Sequence, residues 1–153
     1  MAGAGLTDLS TFDRDVRLAI ATGIRDRGAV PSLYEVAVRL AASEADVGAS
    51  FGRLAAARTM ILRPGSTEIL SFNPFASGPT DFRVRAADRD WWALCGWDAF
   101  GVAAALGGDG VVLGQCADVC GVPPEVRRAG DAGGALDGGG REFGLPARQW
   151  GEA

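Results

Sequence analysis

Helix N-cap signals that contain serine constrain the fold of the first half of this chain more than any other feature. Ser10 or Thr11 can cap a helix over about residues 13–27, whose apolar positions recur along one stripe. Ser32 with Glu35 forms a capping-box pattern ahead of a second apolar run. Ser43 and Asp46 repeat this pattern loosely at the start of a third segment, which reaches about residue 58. The pattern predicts three short helices in succession.

A β-hairpin is predicted directly after these helices. Residues 59–63 and 68–72 flank a Pro-Gly-Ser turn, which is typical of two short paired strands. Three short helices followed by a hairpin is the element order of a winged helix-turn-helix. We therefore predict a winged-helix-like module over residues 1–72, followed by a linker over residues 73–80, where two prolines and a glycine interrupt regular structure.

The charge distribution does not favour nucleic acid or a membrane as a partner. Residues 1–72 carry eight arginines and eight acidic residues, and the third helix offers only Arg53 and Arg58 to a DNA groove. The whole chain has a formal net charge of −4. No run approaches the roughly 18 apolar residues of a membrane helix, and no signal peptide is recognised at the start. We expect a cytoplasmic protein with reduced cysteines that acts on a small molecule.

Two residue types are missing, and their absence limits the available chemistry. There is no histidine, and all 15 basic residues are arginine. A Ser–His–Asp triad, His-ligated zinc and Schiff-base chemistry on lysine are therefore excluded. Proton transfer must therefore use carboxylates, Tyr34 or the three cysteines.

The second half is predicted to be a small mixed α/β domain over residues 81–153, so the protein as a whole belongs to the α+β class. Strands are expected over residues 82–86, 91–94 and 111–113, with a helix over about residues 97–106. In residues 129–140, six of twelve positions are glycine, which indicates a flexible loop.

Cys95 and Asp98 are the strongest candidates for catalytic residues. Cys95 stands where a strand passes into a helix, and Asp98 follows at i+3 on the same face. The helix dipole is expected to lower the pKa of the Cys95 thiol. Burial among tryptophans 91, 92 and 97 and Phe100 is expected to keep a proton on Asp98. A structural interpretation stays open, with a small buried cysteine and an aspartate that stabilises its own helix.

Cys116 and Cys120 form a second constellation, four residues apart. Two thiols at this spacing can chelate a soft metal such as zinc, with Cys95 and Asp98 completing the ligand set. A reversible disulfide and two purely structural cysteines are the alternatives.

Residues 92–100, Trp-Ala-Leu-Cys-Gly-Trp-Asp-Ala-Phe, resemble the active-site segment of the organomercurial (alkylmercury) lyase family. In that family an aromatic-Ala-x-Cys-x-x-Asp segment precedes a small-residue helix, and a winged-helix-like module is joined to a small α/β domain. Cys95 and Asp98 match the catalytic positions. Residues 79–84 look like the approach strand of the family, and residues 114–116 look like a strand that ends in a further cysteine. The resemblance covers roughly residues 10–125.

The resemblance implies a lyase that cleaves carbon–mercury bonds, or at least captures Hg(II). Cys95 would take the mercury of an organomercurial, and Asp98 would pass a proton to the leaving carbon. The product Hg(II) would stay on thiolates, and no cofactor is required. Trp92, Trp97 and Phe100 are expected to line the substrate pocket.

One departure from the family pattern keeps two alternatives open. Family members carry a second catalytic cysteine in a C-terminal segment, whereas residues 129–153 contain none. Cys116 or Cys120 would have to act as the auxiliary thiol. The alternatives are a repurposed member of the fold, acting on a small non-mercury metabolite or other electrophile, and a winged-helix regulator that responds to a soft metal.

Overall fold

Four helices and seven strands make up the part of the chain that the structure describes. The computed structural model describes residues 9–86, 88–107, 110–114 and 125–128, the last as backbone. The helices are α1 (Thr11–Arg27), α2 (Leu33–Leu40), α3 (Glu44–Ala56) and α4 (Gly96–Ala105). The strands are β1 (Met60–Leu62), β2 (Ile69–Phe72), β3 (Phe75–Ala76), β4 (Phe82–Ala86), β5 (Arg89–Ala93), β6 (Gly110–Leu113) and β7 (Glu125–Arg128). Among the described residues, no helix combines the length and the apolar character that crossing a membrane requires.

The first three helices begin at the serines that the sequence indicates. Ser10, Ser32 and Ser43 each have an extended backbone, and each side chain accepts the amide of the residue three positions later. At Ser10 and Ser32 the acidic residue of the pair binds the backbone of the serine in return, which completes a capping box. These bonds satisfy amides that have no partner within the helix, so local sequence sets where each helix starts.

Asp13 joins α1 to α3 as well as capping α1. Its side chain is 1% exposed, and its carboxylate accepts hydrogen bonds from Ser50 Oγ at 2.6 Å and from Arg53 Nη2 at 2.7 Å. The Arg53 guanidinium holds the pKa of the Asp13 carboxyl well below its usual range, although burial opposes this, and the Ser50 and Ser10 hydroxyls add to the lowering. Arg53, one of the two cations expected on the third helix, is therefore engaged within the protein.

All seven strands belong to one antiparallel sheet, in the order β1-β2-β3-β5-β4-β6-β7. The expected α+β class is confirmed. The segment that the sequence predicts to be a linker contains β3, which pairs with β2 on one side and with β5 on the other. The hairpin of the first half and the strands of the second half are therefore hydrogen-bonded parts of a single sheet.

The two faces of the sheet differ sharply in character. Val84, Trp91 and Val112 are opposed across β4, β5 and β6 and are buried on one face. Helix α4 packs on this face, since a Cβ built on Gly110 would lie 3.6 Å from both Ala103 and Val84. The other face carries alternate residues, and there Asp90 binds Arg85 at 2.8 Å.

A close contact fixes α4 against the turn between β2 and β3. A Cβ built on Gly101 would lie only 2.9 Å from the Cβ of Pro74. Only a residue without a side chain allows the helix backbone to approach the proline ring this closely. Gly101 therefore allows α4 to pack directly against the turn between β2 and β3.

Candidate active site

Cys95 is the N-cap residue of α4, and Asp98 is the third residue of that helix. The backbone of Cys95 is extended, with φ −149° and ψ 172°. Its sulfur accepts the amide N–H of Asp98 at 3.4 Å, in the position where a serine or threonine oxygen normally caps a helix. The thiol in turn donates to Asp98 Oδ2 at 3.3 Å. The structure therefore brings the two candidate catalytic residues into direct contact.

The prediction of a lowered pKa for Cys95 is wrong. Shielding of the sulfur from water by neighbouring atoms is the largest influence and raises the pKa of the Cys95 thiol. The amide of Asp98 lowers it, as expected for a helix N-terminus, but the carboxylate of the same residue raises it through its hydrogen bond and its charge. The helix start thus carries both an effect that favours the thiolate and one that opposes it, and the opposing effects prevail.

The residue as a whole is nevertheless accessible to solvent. Cys95 is an exposed residue with a free thiol, and Asp98 is half-buried beside it. Leu94 and Trp97, on either side of Cys95 in the chain, are 44% and 57% exposed. An electrophile can therefore reach the sulfur across an apolar surface, without passing through the protein core.

The four aromatic residues expected around the cysteine occupy different environments. Trp91 is 5% exposed in the core, where its Nε1–H points to the carbonyl of Ile24 at 3.5 Å. Trp92 lies on the opposite face of the sheet, half-buried between Ala76 and Arg83 of the neighbouring strands. Phe100 is partly buried against the core, and Trp97 is exposed. The expected enclosure of Asp98 by all four rings is not formed.

Thr80 is a residue near the site that sequence reasoning missed. Its hydroxyl donates to the carbonyl of Ala93 at 2.6 Å and accepts the amide of Phe82 at 3.1 Å. It therefore ties the start of β4 to the end of β5, two residues before Cys95. A threonine shortly before a strand gives no signal of such a role, because its partner is thirteen residues away.

Several sequence predictions lie outside the described residues. Cys116, Cys120 and the glycine-rich stretch 129–140 are among them. Within the described ranges, no group of three or more acidic or cysteine side chains could hold a metal ion. The described residues also form two clefts. One lies between α1 and α2, the other lies between α2 and the β1–β2 turn, and neither is lined by Cys95 or Asp98.

Comparison with known proteins supports the family resemblance. Residues 75–128, which include Cys95 and Asp98, match the family model of alkylmercury lyase. The resemblance to the alkylmercury lyase family is confirmed.

A solved structure extends the likeness to most of the fold. The chain is similar to the mercury-bound form of MerB2, with a TM-score of 0.69 and 22% sequence identity over 86% of this chain. The matched region makes up 63% of the MerB2 chain, so this chain spans less than two thirds of that structure's length. At this level of identity the likeness concerns the fold. No curated protein matches the sequence significantly.

Proposed function

We propose that this protein cleaves carbon–mercury bonds by protonolysis, with Cys95 as the nucleophile and Asp98 as the proton carrier. The observation that carries the proposal is the 3.3 Å contact between the Cys95 thiol and Asp98 Oδ2, within the segment that matches the alkylmercury lyase family. A soft nucleophile touching a carboxylate is the minimum that this reaction requires. Histidine and lysine, which the chain lacks, have no part in it.

The reaction begins with exchange of ligands on mercury. The sulfur of Cys95 displaces the thiolate or halide X from R–Hg–X, and a sulfur–mercury bond forms as the mercury–X bond breaks. The thiol proton passes to Asp98 Oδ2, which already accepts it in the resting protein. A protonated thiol at rest suits this step, because the proton needed later is carried in by the nucleophile itself.

Cleavage then returns that proton to carbon. Asp98 protonates the carbon bound to mercury, and the electron pair of the carbon–mercury bond becomes the new carbon–hydrogen bond. R–H leaves and Hg(II) remains on the sulfur of Cys95. A second thiolate then completes linear coordination, from Cys116, from Cys120 or from a small external thiol. Mercury is substrate and product here, and the proposed reaction uses no cofactor.

The organic group of the substrate is proposed to lie against the aromatic residues of the site. Trp97 and Phe100 share α4 with Asp98, and Leu94 adds exposed apolar surface beside the sulfur. Trp92 lies on the face of the sheet opposite to Trp91 and α4, so it is not part of this proposed surface. Because the side chains around Cys95 are exposed, we propose that small organomercurials with organic groups of different shapes can bind.

The surface of the first three helices is poorly suited to binding DNA, and a small-molecule substrate is the better match. The exposed positions of α3 include Glu44 and Asp46 together with alanine and glycine, and Arg53 is bound to Asp13. A groove-binding helix normally presents free cations at such positions. We therefore propose that residues 1–72 serve as a packing module for the site domain, and that the protein works in the cytoplasm, where its thiols stay reduced.

A repurposed member of the fold is the second candidate function. The absence of cysteine from residues 129–153 is the observation that favours it, because the family resemblance implies a second catalytic cysteine in that region. An organic adduct on Cys95 after exposure to metabolite mixtures, without turnover of organomercurials, would support this candidate over the first.

Benzene release from phenylmercuric acetate tests the proposed function directly. In the presence of excess small thiol, the protein is expected to release benzene catalytically, and Cys95→Ser is expected to release none above the background of thiol alone. Cys116→Ser and Cys120→Ser are measured alongside to assign the second thiolate. Turnover that survives Cys95→Ser contradicts the proposal.

A further inference from the structure

The hydroxyl of Thr80 occupies an unusual place at the end of the sheet. Thr80 is half-buried and precedes β4 by two residues. Its Oγ1 lies 2.6 Å from the carbonyl oxygen of Ala93, 3.0 Å from the carbonyl oxygen of Phe82 and 3.1 Å from the amide nitrogen of Phe82, and the shortest of these distances assigns its proton to Ala93. Phe82 and Ala93 are partners in the β4–β5 register. The hydroxyl therefore connects the two strands just where their backbone pairing ends.

Ala93 is the last fixed point of the sheet before the nucleophile. It is fully buried, and it is flanked by Phe82 on β4 and by Phe75 on β3. Beyond it the chain passes through the exposed Leu94 and reaches Cys95, whose sulfur must lie within reach of the amide and carboxylate of Asp98. The direction in which the chain leaves Ala93 decides whether Cys95 arrives at the N-cap position.

We propose that Thr80 is a positioning residue for Cys95, acting through the carbonyl of Ala93. This inference rests on the proposed function only in taking Cys95 as the nucleophile. Without the hydroxyl, the Ala93 carbonyl and the Phe82 amide lose a shared partner, and the segment 93–95 is free to shift away from α4. The sulfur then loses the Asp98 amide, which stabilises its negative charge, and it loses the carboxylate that accepts its proton.

The rate at which iodoacetamide alkylates Cys95 at neutral pH tests this role without any mercury compound. Mass spectrometry of fragments assigns the alkyl group to Cys95 rather than to Cys116 or Cys120. Thr80→Val, which keeps the shape but removes the hydroxyl, is expected to speed alkylation of Cys95 by about two- to tenfold, because the sulfur leaves the surroundings that on balance raise the pKa of its thiol. Thr80→Ser keeps the hydroxyl and is expected to restore the rate to within about twofold.

Thr59→Val is the matched control. The hydroxyl of Thr59 also donates to a backbone carbonyl, that of Leu54 at 2.9 Å, but Thr59 precedes β1, three strands away from β5. Its loss is expected to lower the stability of the fold without changing the alkylation rate of Cys95. If Thr80→Val does not fold, Thr80→Ala takes its place in the same assay with the same expectation.

An unchanged or slower rate in Thr80→Val, a rate that Thr80→Ser fails to restore, or an equal change in Thr59→Val would each overturn the positioning role. These outcomes are independent of lyase activity, so they separate this inference from the proposed function. Should the protein release benzene, Thr80→Val is further expected to lower kcat while leaving KM within about twofold, because the hydroxyl contacts backbone and not substrate.

Discussion

The sulfur of Cys95 receives the amide of Asp98 at 3.4 Å and faces the carboxylate of the same residue at 3.3 Å. One residue therefore acts on the thiol in two opposite ways. The amide stabilises the thiolate, whereas the carboxylate stabilises the thiol by accepting its proton and by repelling negative charge. In the proposed reaction the second effect is useful, since the proton is held by the group that must later deliver it.

Asp98→Asn is expected to lower the pKa of the Cys95 thiol, because it removes the carboxylate and keeps the amide. Alkylation of Cys95 by iodoacetamide at pH 7 should then become about two- to tenfold faster, since each unit of pKa changes the thiolate fraction about tenfold in this range. Benzene release should fall in the same variant. The pH dependence of the alkylation rate measures the first effect, and a pKa that stays the same or rises would refute it.

Asp13→Asn is expected to destabilise the fold by about 2–4 kcal/mol, because a buried carboxylate that accepts bonds from Ser10, Ser50 and Arg53 is lost. Urea unfolding measures the change. Asp15→Asn is the matched control on the same helix, since Asp15 is exposed, and it should alter stability by no more than about 0.5 kcal/mol. Equal effects of the two substitutions would show that the contacts of Asp13 do not contribute to the free energy of unfolding.

Asp13 is also expected to make stability depend on acid pH. Its pKa in the folded protein lies below the ordinary value of 3.8, so folding favours the ionised form. This contribution is fully present above about pH 4 and is lost as the pH falls further. Below about pH 4 the wild-type protein should therefore lose stability more steeply than Asp13→Asn. Urea unfolding of both between pH 6 and pH 3 checks this, and parallel curves would contradict it.

Two glycine-to-alanine substitutions in helices are expected to have opposite signs. Gly101→Ala places a methyl group 2.9 Å from Pro74 Cβ, and this crowding should cost about 1–2 kcal/mol after the gain in helix propensity is subtracted. Gly52→Ala on α3 meets no atom within 4 Å and should stabilise the protein by about 0.5–1 kcal/mol. Thermal unfolding of both variants measures the contrast. A stabilised Gly101→Ala would refute the close packing of α4 on the β2–β3 turn.

The sequence predicts the parts of this fold that depend on local interactions. Ser10 and Ser32 cap their helices because each serine binds residues only three positions away, and this spacing can be read directly. The contact between Cys95 and Asp98 has the same range and is equally visible. The strand β3 is not, because two residues beside a proline acquire their structure only from β2 and β5.

The wrong or missing predictions about the site concern features that residue spacing alone does not determine. The sign of the pKa shift at Cys95 depends on a balance between the amide and the carboxylate of Asp98, which spacing alone does not give. The role of Thr80 depends on register between two strands. The aromatic rings do not enclose Asp98, because Trp91 and Trp92 are neighbours in a strand and therefore point to opposite faces of the sheet.

The mass of the protein after exposure to one equivalent of phenylmercuric acetate tests the central claim most directly. If Cys95 captures mercury and Asp98 delivers the proton, the wild-type protein should carry Hg(II) without the phenyl group and release about one equivalent of benzene. Asp98→Asn should retain phenylmercury on Cys95, and Cys95→Ser should carry no adduct at residue 95. Release of benzene by Asp98→Asn at the wild-type rate, or by Cys95→Ser, would contradict the account.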